Sequence, residues 1–252
     1  SLGLGWNIIR EEFMKDQDIF SALKLRGSWG RVGNDQIPTD VYFPIAAVNI
    51  PYIFGNSEAL GIRFDELPDE NVKWETTEEF DLGLEFGFLN SQLTGEIDFY
   101  HKKTKDALTR IPIPGILGDT NSEFITNASN FKNTGFEFSL NWNQRLNDDF
   151  RYTVSGNIST NKNEILDLSG GQALRAGNPG GSQGTTTKSD NGYPIASFFL
   201  LQADGVFQSY EEIAASAQKD ARPGDLRYKD LNGDGIISTD DRDKAFSGAY
   251  IP

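Results

Sequence analysis

The sequence contains no cysteine and only one histidine, His101, in 252 residues. Without cysteine the chain can form neither a disulfide framework nor a thiolate nucleophile or metal ligand. A histidine metal site needs partner ligands, and no motif supplies them around His101, so we interpret this residue as one at a surface or an interface.

Cationic residues are also scarce, because 23 Lys and Arg stand against 37 Asp and Glu, a formal net charge of −14. This balance argues against a nucleic acid partner, since a phosphate backbone must be met by a cationic surface. Acidic loops would instead attract divalent cations.

Long apolar runs are missing as well, and none approaches the roughly 18 residues of a membrane-spanning helix. A β-barrel is not excluded by this absence, because its strands hide half of their hydrophobicity by alternation. The apolar content of 37% would suffice to bury the core of a globular domain. Composition therefore leaves the fold class to the sequence pattern.

Apolar and polar residues alternate strictly in the stretch from Glu78 to Lys103. A period of two indicates a β-strand, and the pattern resumes after Asn90–Ser91, so two strands of about ten residues meet at a tight turn. The apolar positions of the first strand are Phe80, Leu82, Leu84, Phe86 and Phe88.

Six segments carry this strand pattern, and their connections are unequal. Short turns at Asn90–Ser91 and Leu146–Asp149 alternate with polar connections of about 25 to 40 residues, which are uncommon in compact soluble domains. An up-and-down sheet with all tight turns at one end and all long loops at the other is typical of outer-membrane barrels. The predicted strands are Leu2–Ile9, Ser21–Val32, Thr76–Leu89, Gln92–Asp106, Asn133–Arg145 and Phe150–Glu164.

The polar faces of these strands would crowd carboxylates on one side, which must therefore meet water. A soluble, calcium-stabilised β-sandwich for adhesion or carbohydrate binding would pack its aromatic residues inward, whereas a wide barrel has a wet lumen and a lipid-facing aromatic surface. The residues alone leave both architectures open. The acidic residues are Glu79, Asp81, Glu85, Glu96 and Asp98.

A glycoside hydrolase built on paired carboxylates is a third hypothesis, with pairs such as Glu78 with Glu79 or Glu96 with Asp98, and mutation of Glu85 and Glu96 would test it. It requires carboxyl groups that converge in a cleft about 5 to 9.5 Å apart. Solvated strand faces produce such pairs routinely, so we predict that the chain is not an enzyme.

We expect strand pairing to stop after Ile165, and we separate residues 165–252 as a loop region from the six strands of residues 1–164. The segment 169–192 is rich in Gly, Ser, Thr and Asn, which predicts little regular structure. Ser209 followed by Glu212 predicts a capping box and a short helix that ends near Lys219.

One motif carries explicit chemistry, the stretch "DLNGDGIISTDD" at residues 230–241. Its oxygen-bearing residues have the spacing of an EF-hand loop, with Gly235 at the bend, and predict a structural Ca²⁺ site. Asp241 stands where a longer Glu is usual, and no helix evidently follows, so a single loop of the dockerin kind is the better comparison. An Asx-rich turn that is stable without metal remains the alternative. The predicted ligands are Asp230, Asn232, Asp234, the Ile236 carbonyl, Ser238 and Asp241.

Several stretches together resemble the C-terminal part of the SusC/RagA family of TonB-dependent outer-membrane transporters. They are "LKLRGSWGRVGN", "KWETTEEFDLGLEFGFLNSQLTGEIDFYHKKTKDAL", "NTGFEFSLNWN", "VSGNISTNKNEI" and "PGDLRYKDLNGDGIISTDDR". The resemblance implies an all-β chain, part of a barrel of about 22 strands in the bacterial outer membrane. It also implies a SusD-like surface lipoprotein as partner, energy from TonB, and import of oligosaccharides or peptides.

On this resemblance the apolar face of residues 80–88 meets outer-membrane lipid, and the acidic face lines the lumen. The long loops, with the calcium-like loop among them, would lie on the extracellular side. The sequence shows no plug and no TonB-contacting segment, so we expect a piece of a longer protein. Six strands are fewer than the smallest barrels of about eight, which predicts an open sheet for the isolated piece.

Overall fold

A computed structural model describes residues 1–37, 41, 45–66, 69–112, 123–168, 171, 173–176 and 185–244. The chain divides into two compact units, Ser1–Gly171 and Gln172–Pro252. Among the described residues, no helix is both long enough and apolar enough to cross a membrane.

The first unit is built on an open, six-stranded antiparallel sheet in the order β1-β2-β5-β6-β7-β8. Each strand pairs with its predicted neighbour, so the all-β class and the six predicted strands are confirmed. The strands are β1 (Leu2–Trp6), β2 (Phe20–Asn34), β5 (Glu75–Phe88), β6 (Leu93–Pro112), β7 (Glu123–Arg145) and β8 (Arg151–Leu168).

Tight turns join β5 to β6 and β7 to β8, as predicted. Leu89, Asn90 and Ser91 all have positive φ, and the Gln92 N–H closes the first turn on the Leu89 carbonyl. In the second turn the Asn147 side chain accepts the backbone N–H groups of Asp149 and Phe150, an Asx turn. Because β5, β6, β7 and β8 are antiparallel neighbours, both turns lie at the same end of the sheet.

Strands β6 and β7 extend beyond their predicted bounds of Asp106 and Asn133. The register shifts between Thr104 and Ala107, where Asp106 has a φ of 55°. A bulge inverts the alternation of side chains beyond it, so the strictly alternating pattern in the sequence ends at this point. The Asn127 amide donates to the Asp106 carbonyl at 2.6 Å and holds the bulge in place.

A separate two-stranded ribbon, β3 (Ile45–Phe54) and β4 (Ser57–Glu66), lies between β2 and β5 in sequence. The sequence predicted only a long polar connection here, which was wrong. Pro51 and a bulge at Asn49 (φ 61°) interrupt the alternation of β3, and this hid the strand. We call this element the β3–β4 ribbon.

The second unit contains short strands and one short helix. A four-stranded sheet has the order β14-β11-β10-β9, and β12 pairs with β13. The expectation that strand pairing stops after Ile165 was therefore wrong, although residues 169, 170, 172 and 177–184 of the loop-rich segment lie outside the described residues. The strands are β9 (Leu174–Ala176), β10 (Thr187–Ser189), β11 (Ser197–Leu201), β12 (Ala203–Val206), β13 (Leu226–Tyr228) and β14 (Arg242–Lys244).

The helix α1 (Tyr210–Ala215) begins at the predicted cap but ends earlier than Lys219. Ser209 Oγ accepts the Glu212 N–H at 3.4 Å, while the Glu212 carboxylate accepts the N–H of Gln208 instead of that of Ser209. Ser216 ends the helix because its hydroxyl donates to the Ile213 carbonyl, a local bond that competes with further helical turns.

Candidate functional site

One face of the six-stranded sheet is a continuous apolar surface. The strand register aligns apolar side chains in rows across the sheet, and one such row holds Leu25, Leu84, Ile97, Phe138 and Ile158. Phe80, Phe99 and Phe136 on this face keep 44%, 41% and 41% of their surface exposed. A β-sandwich would bury these rings in a core, so this face does not fit the sandwich hypothesis and fits contact with lipid.

The opposite face is polar and is organised by Arg26 on β2. Its guanidinium pairs with Glu96, lies 2.7 Å from Asp98 and 3.5 Å from Glu85, and donates to Asp81 at 3.4 Å. The five predicted acidic residues therefore share one face, as the pattern indicated, but the structure adds a cation at the centre of four of them. One planar guanidinium can serve several carboxylates because it carries five N–H donors.

Two lysines neutralise further charge on this polar face. Lys24 pairs with Glu85 at 2.8 Å, and Lys102 pairs with Glu79 at 3.1 Å. Neither Arg26 nor Lys24 was predicted as a partner of the acids. Lys24 and Arg26 both occupy even-numbered positions of β2, which places their side chains on the same face of the strand. Only the strand register shows which acids they meet.

The hydrolase hypothesis fails on the same geometry. Glu85 and Glu96 are direct cross-strand partners, and both contact the Arg26 guanidinium. Ion pairs with one guanidinium occupy both carboxylates on the polar face of the sheet. The pair therefore stabilises the sheet.

The predicted calcium loop folds around the carboxylate of Asp230. Its Oδ1 accepts the Gly233 N–H at 2.6 Å, and its Oδ2 accepts the Gly235 N–H at 2.8 Å. Gly233 and Gly235 both have positive φ, which bends the chain around this side chain. Asp234 Oδ1 accepts the Ile236 N–H at 2.8 Å and continues the same curl.

Asp241 closes the loop from its far end and is fully buried. Its Oδ1 accepts the Leu231 N–H at 2.9 Å, and its Oδ2 accepts the Ser238 N–H at 2.7 Å. Ser238 in turn caps a 3₁₀ turn at Thr239–Asp241, so the two residues form a reciprocal capping box. The loop thus brings the predicted ligands at its first and last positions together.

Hydrogen bonding also sets the charge of Asp241. The bond from the Ser238 N–H lowers the pKa of its carboxyl group most, and the N–H groups of Leu231 and Asn232 lower it further against the opposing effect of burial. The folded loop therefore favours the carboxylate form.

The residues of the loop fit calcium by their donor chemistry. Three carboxylates, an amide, a hydroxyl and a backbone carbonyl are the hard oxygen ligands that Ca²⁺ takes. In the described part of the chain no three acidic or histidine side chains converge on one metal position, because the loop acids accept backbone N–H groups. Asp234 Oδ1 and Oδ2 each accept one N–H group, from Ile236 and from the Asn232 side chain, and each keeps a second lone pair that a cation can use. The calcium site stays a prediction, with a hydrogen-bonded turn as its alternative.

A sequence model of the family described as TonB dependent receptor-like, beta-barrel, matches residues 1–245. The chain belongs to this family. TonB-dependent receptors are outer-membrane transporters and not enzymes, so the predicted location and the predicted lack of enzymatic activity are both confirmed.

Individual TonB-dependent receptors support the same assignment. The chain is 37% identical to TonB-dependent receptor SusC of Bacteroides thetaiotaomicron over 253 residues, which cover 96% of this chain and 24% of that protein. It is 35% identical to TonB-dependent receptor P26 of Formosa agariphila over 251 residues, again 96% of this chain and 24% of that protein. The predicted resemblance to SusC is confirmed, and the chain spans about a quarter of the length of these curated relatives.

Solved structures show the same fold. The chain matches the RagAB peptide importer in its "closed-closed" state with a TM-score of 0.72 and 24% identity, over 96% of this chain and 25% of that chain. It matches the importer in its "open-open" state with a TM-score of 0.65 and 28% identity, over 82% of this chain and 21% of that chain. The open sheet is therefore a section of a barrel wall.

Proposed function

We propose that the parent protein imports nutrients across the bacterial outer membrane. The observation that carries this proposal is the two-faced sheet, in which exposed apolar rows on one side accompany an ion-paired face on the other. Family membership over residues 1–245 supports it independently. On this proposal the chain supplies part of the barrel wall, and its ion pairs keep the lumen face rigid and wet.

The proposed substrates are oligosaccharides or peptides, and the proposed partners are a SusD-like surface lipoprotein and TonB. SusC and a peptide importer, RagAB, are among the proteins that the chain resembles. Of the two substrate classes, peptides are supported by the similarity of this chain to the RagAB peptide importer.

Uptake by the full-length protein tests this function. Cells that carry the parent gene and its lipoprotein would receive either a fluorescent oligosaccharide mixture or a fluorescent peptide mixture, with and without TonB. We expect TonB-dependent uptake of one class and its loss when the lipoprotein is deleted. Uptake of neither class, or uptake that continues without TonB, would overturn the proposal.

We also propose that the Asp230–Asp241 loop holds a structural Ca²⁺ on the extracellular side. Asp230, Asp234 and Asp241 are three acids of one short loop, and bound Ca²⁺ would neutralise their mutual repulsion. The cation would fix the loop in its bent form and would take no part in transport chemistry.

A further inference from the structure

The chain contains two Asn-Gly pairs, Asn191–Gly192 and Asn232–Gly233, and both lie in the second unit. Asparagine is chemically labile before glycine, because glycine has no side chain that hinders attack of its backbone nitrogen on the asparagine side chain. Such attack costs the asparagine its amide group. The surroundings of the two glycine nitrogens therefore decide how readily each pair reacts.

Ring closure at the second pair would begin with attack of the Gly233 nitrogen on Asn232 Cγ. A nitrogen–carbon bond forms and the Cγ–Nδ2 bond breaks, and Nδ2 leaves as ammonia with the proton that the Gly233 nitrogen gives up. Water then opens the cyclic imide at either carbonyl, which leaves aspartate or isoaspartate. Isoaspartate lengthens the backbone path by one carbon atom and would break the spacing of the predicted ligands.

The folded loop holds the nitrogen that would attack. The Gly233 N–H donates to Asp230 Oδ1 at 2.6 Å. An imide nitrogen carries no hydrogen, so ring closure would break this bond and leave a carboxylate oxygen without its donor. The Gly233 nitrogen must also lose its proton to react, and a carboxylate beside it disfavours the anion that would result. Asp230 therefore opposes ring closure in two ways.

The side chain under attack is held as well. Asn232 Oδ1 accepts the Asp234 N–H at 2.9 Å, and Asn232 Nδ2 donates to Asp234 Oδ2 at 3.0 Å. Departure of Nδ2 as ammonia would break the second of these bonds. Asn232 and Gly233 are both exposed within this chain, so hydrogen bonding and not burial supplies the protection.

The carboxylate of Asp230 also serves a neighbouring labile pair, Asp234–Gly235. An aspartate before glycine can close the same ring with loss of water. The Gly235 N–H donates to Asp230 Oδ2 at 2.8 Å. Each oxygen of Asp230 therefore holds one of the two backbone nitrogens that could attack within this loop.

The first Asn-Gly pair lacks this arrangement in the part of the chain that the structure describes. The Asp190 side chain accepts the Asn191 N–H at 2.9 Å, and the Asp190 carbonyl accepts the Tyr193 N–H at 3.1 Å. Neither bond engages the Gly192 nitrogen, which is the atom that would attack. Asn191 is therefore an internal reference for Asn232.

We propose that Asn232 is a latent deamidation site and that Asp230 is the residue that keeps it from reacting. The hydrogen bonds responsible all lie within residues 230–235, so the protection requires neither bound calcium nor another protein chain. Asp230 thereby gains a role in the metal-free loop that is separate from its predicted role as a calcium ligand.

Peptide mass spectrometry of the full-length protein, incubated in detergent micelles in warm, mildly alkaline buffer with EDTA, tests the proposal. Trypsin releases Asn191 and Asn232 on separate peptides, because Lys219 and Lys229 lie between them. We expect Asn232 to deamidate at least tenfold more slowly in folded protein than in urea, where Asn191 and Asn232 should react alike. Equal rates for Asn232 in folded and unfolded protein would overturn the protection without recourse to any variant.

Asp230→Ala should speed the loss of the Asn232 amide in folded protein at least tenfold. Asp240→Ala is the matched control, since it removes the same charge from the same loop while both glycine N–H groups keep their acceptor, Asp230. Slower deamidation in Asp230→Ala would mean that the carboxylate acts as a base and assists the attack. An unchanged rate, or equal acceleration by Asp240→Ala, would also overturn the assignment to Asp230.

Hydrogen exchange at the Ser238 N–H, which donates to Asp241 at 2.7 Å, reports whether the rest of the loop stays folded in Asp230→Ala. If that protection is lost, Asp230→Asn takes its place, because asparagine keeps the shape and one acceptor oxygen. We expect at least threefold faster deamidation of Asn232 in Asp230→Asn, since the charge that disfavours the amide anion is gone. A rate equal to that of the wild-type protein would overturn the role of the carboxylate.

Discussion

The ring of Tyr100 on β6 lies directly against the backbone of Gly135 on β7, its cross-strand partner. A Cβ at Gly135 would collide with this ring and would also come within 2.5 Å of the Thr160 carbonyl oxygen on β8. The Tyr100 hydroxyl donates to Asn161 of β8 at 3.2 Å, so one side chain ties three strands together. Glycine is required here by close approach, since an aromatic ring fills the space of its missing side chain.

Gly135→Ala should destabilise the barrel by about 1–3 kcal/mol, because the added methyl group overpacks this contact. The measurement is urea unfolding of the full-length protein in detergent micelles. Gly156→Ala is the control, since nothing lies within 4 Å of the position of its Cβ. Equal unfolding midpoints for the two variants would show that the Tyr100 contact is loose.

Arg26→Gln should destabilise the barrel by about 1–3 kcal/mol, because it leaves four clustered carboxylates without their shared cation. Arg26→Lys should recover only part of this loss, since an ammonium lacks the planar fork of donors. Arg145→Gln is the control, because Arg145 pairs with an exposed Asp148 and should change stability by no more than about 0.5 kcal/mol. Urea unfolding at low and high salt measures the free energy of unfolding of each variant. A loss of stability for Arg145→Gln as large as that for Arg26→Gln would show that the ion cluster does not stabilise the barrel.

The sequence predicted the strands of the sheet because side-chain alternation depends only on the local chain. Six strands, their order and their two tight turns follow from period two and from turn residues such as Asn90 and Asn147. Strand ends were predicted poorly, because the bulge at Asp106 shifts the alternation by one residue. The β3–β4 ribbon was missed for the related reason that Pro51 and Asn49 break its pattern.

The two candidate sites differ in how far apart in sequence their residues lie, and this decides how well each site can be predicted. The Asp230–Asp241 loop could be read from spacing alone, since twelve consecutive residues supply every predicted ligand. Arg26 could not be assigned, because its partner Asp98 lies on a strand two places away in the sheet. Register, and hence the ion cluster, emerges only when whole strands pair.

Asp234→Asn should weaken calcium binding at least tenfold, and in the metal-free loop it removes only the Oδ2 that accepts the Asn232 side-chain amide. An asparagine keeps the acceptor oxygen that takes the Ile236 N–H but removes one charge from the donor set. Asp240→Asn is the control, because position 240 is not among the predicted ligands. Protection of the loop from trypsin cleavage at Lys229 during a calcium titration measures the effect. If calcium protects none of the three proteins, the loop is a turn that is stable without metal.

The loop should also loosen in acid, because the folded state holds the pKa of Asp241 below its usual range. A depressed folded pKa stabilises the fold above the unfolded value of about 3.9, and the contribution is lost as the pH falls through the lower folded value. Hydrogen exchange of residues 230–241, expressed relative to intrinsic rates at each pH, should show protection that decreases below about pH 4. Asp241→Asn should reduce protection at neutral pH and remove this pH dependence. Protection that is independent of pH in the wild-type protein would contradict the role of this carboxylate.

The orientation of the sheet in the membrane can be tested with two adjacent residues on β7. Phe138 faces the apolar side, in the row of Ile97 and Ile158, while Ser139 faces the polar side opposite Glu96. Phe138→Arg should cost about 2–4 kcal/mol, the range for arginine on the lipid face near the bilayer midplane, because the charge would enter hydrocarbon.

Ser139→Arg is the matched variant, because it places the same side chain in water beside Glu96, where opposite charge favours it. The folded fraction after insertion of the full-length protein into lipid vesicles measures both effects. We expect a large loss for Phe138→Arg and near wild-type folding for Ser139→Arg. The reverse order would mean that the ionic face, not the aromatic face, meets lipid, and equal losses would mean that both faces are packed against protein.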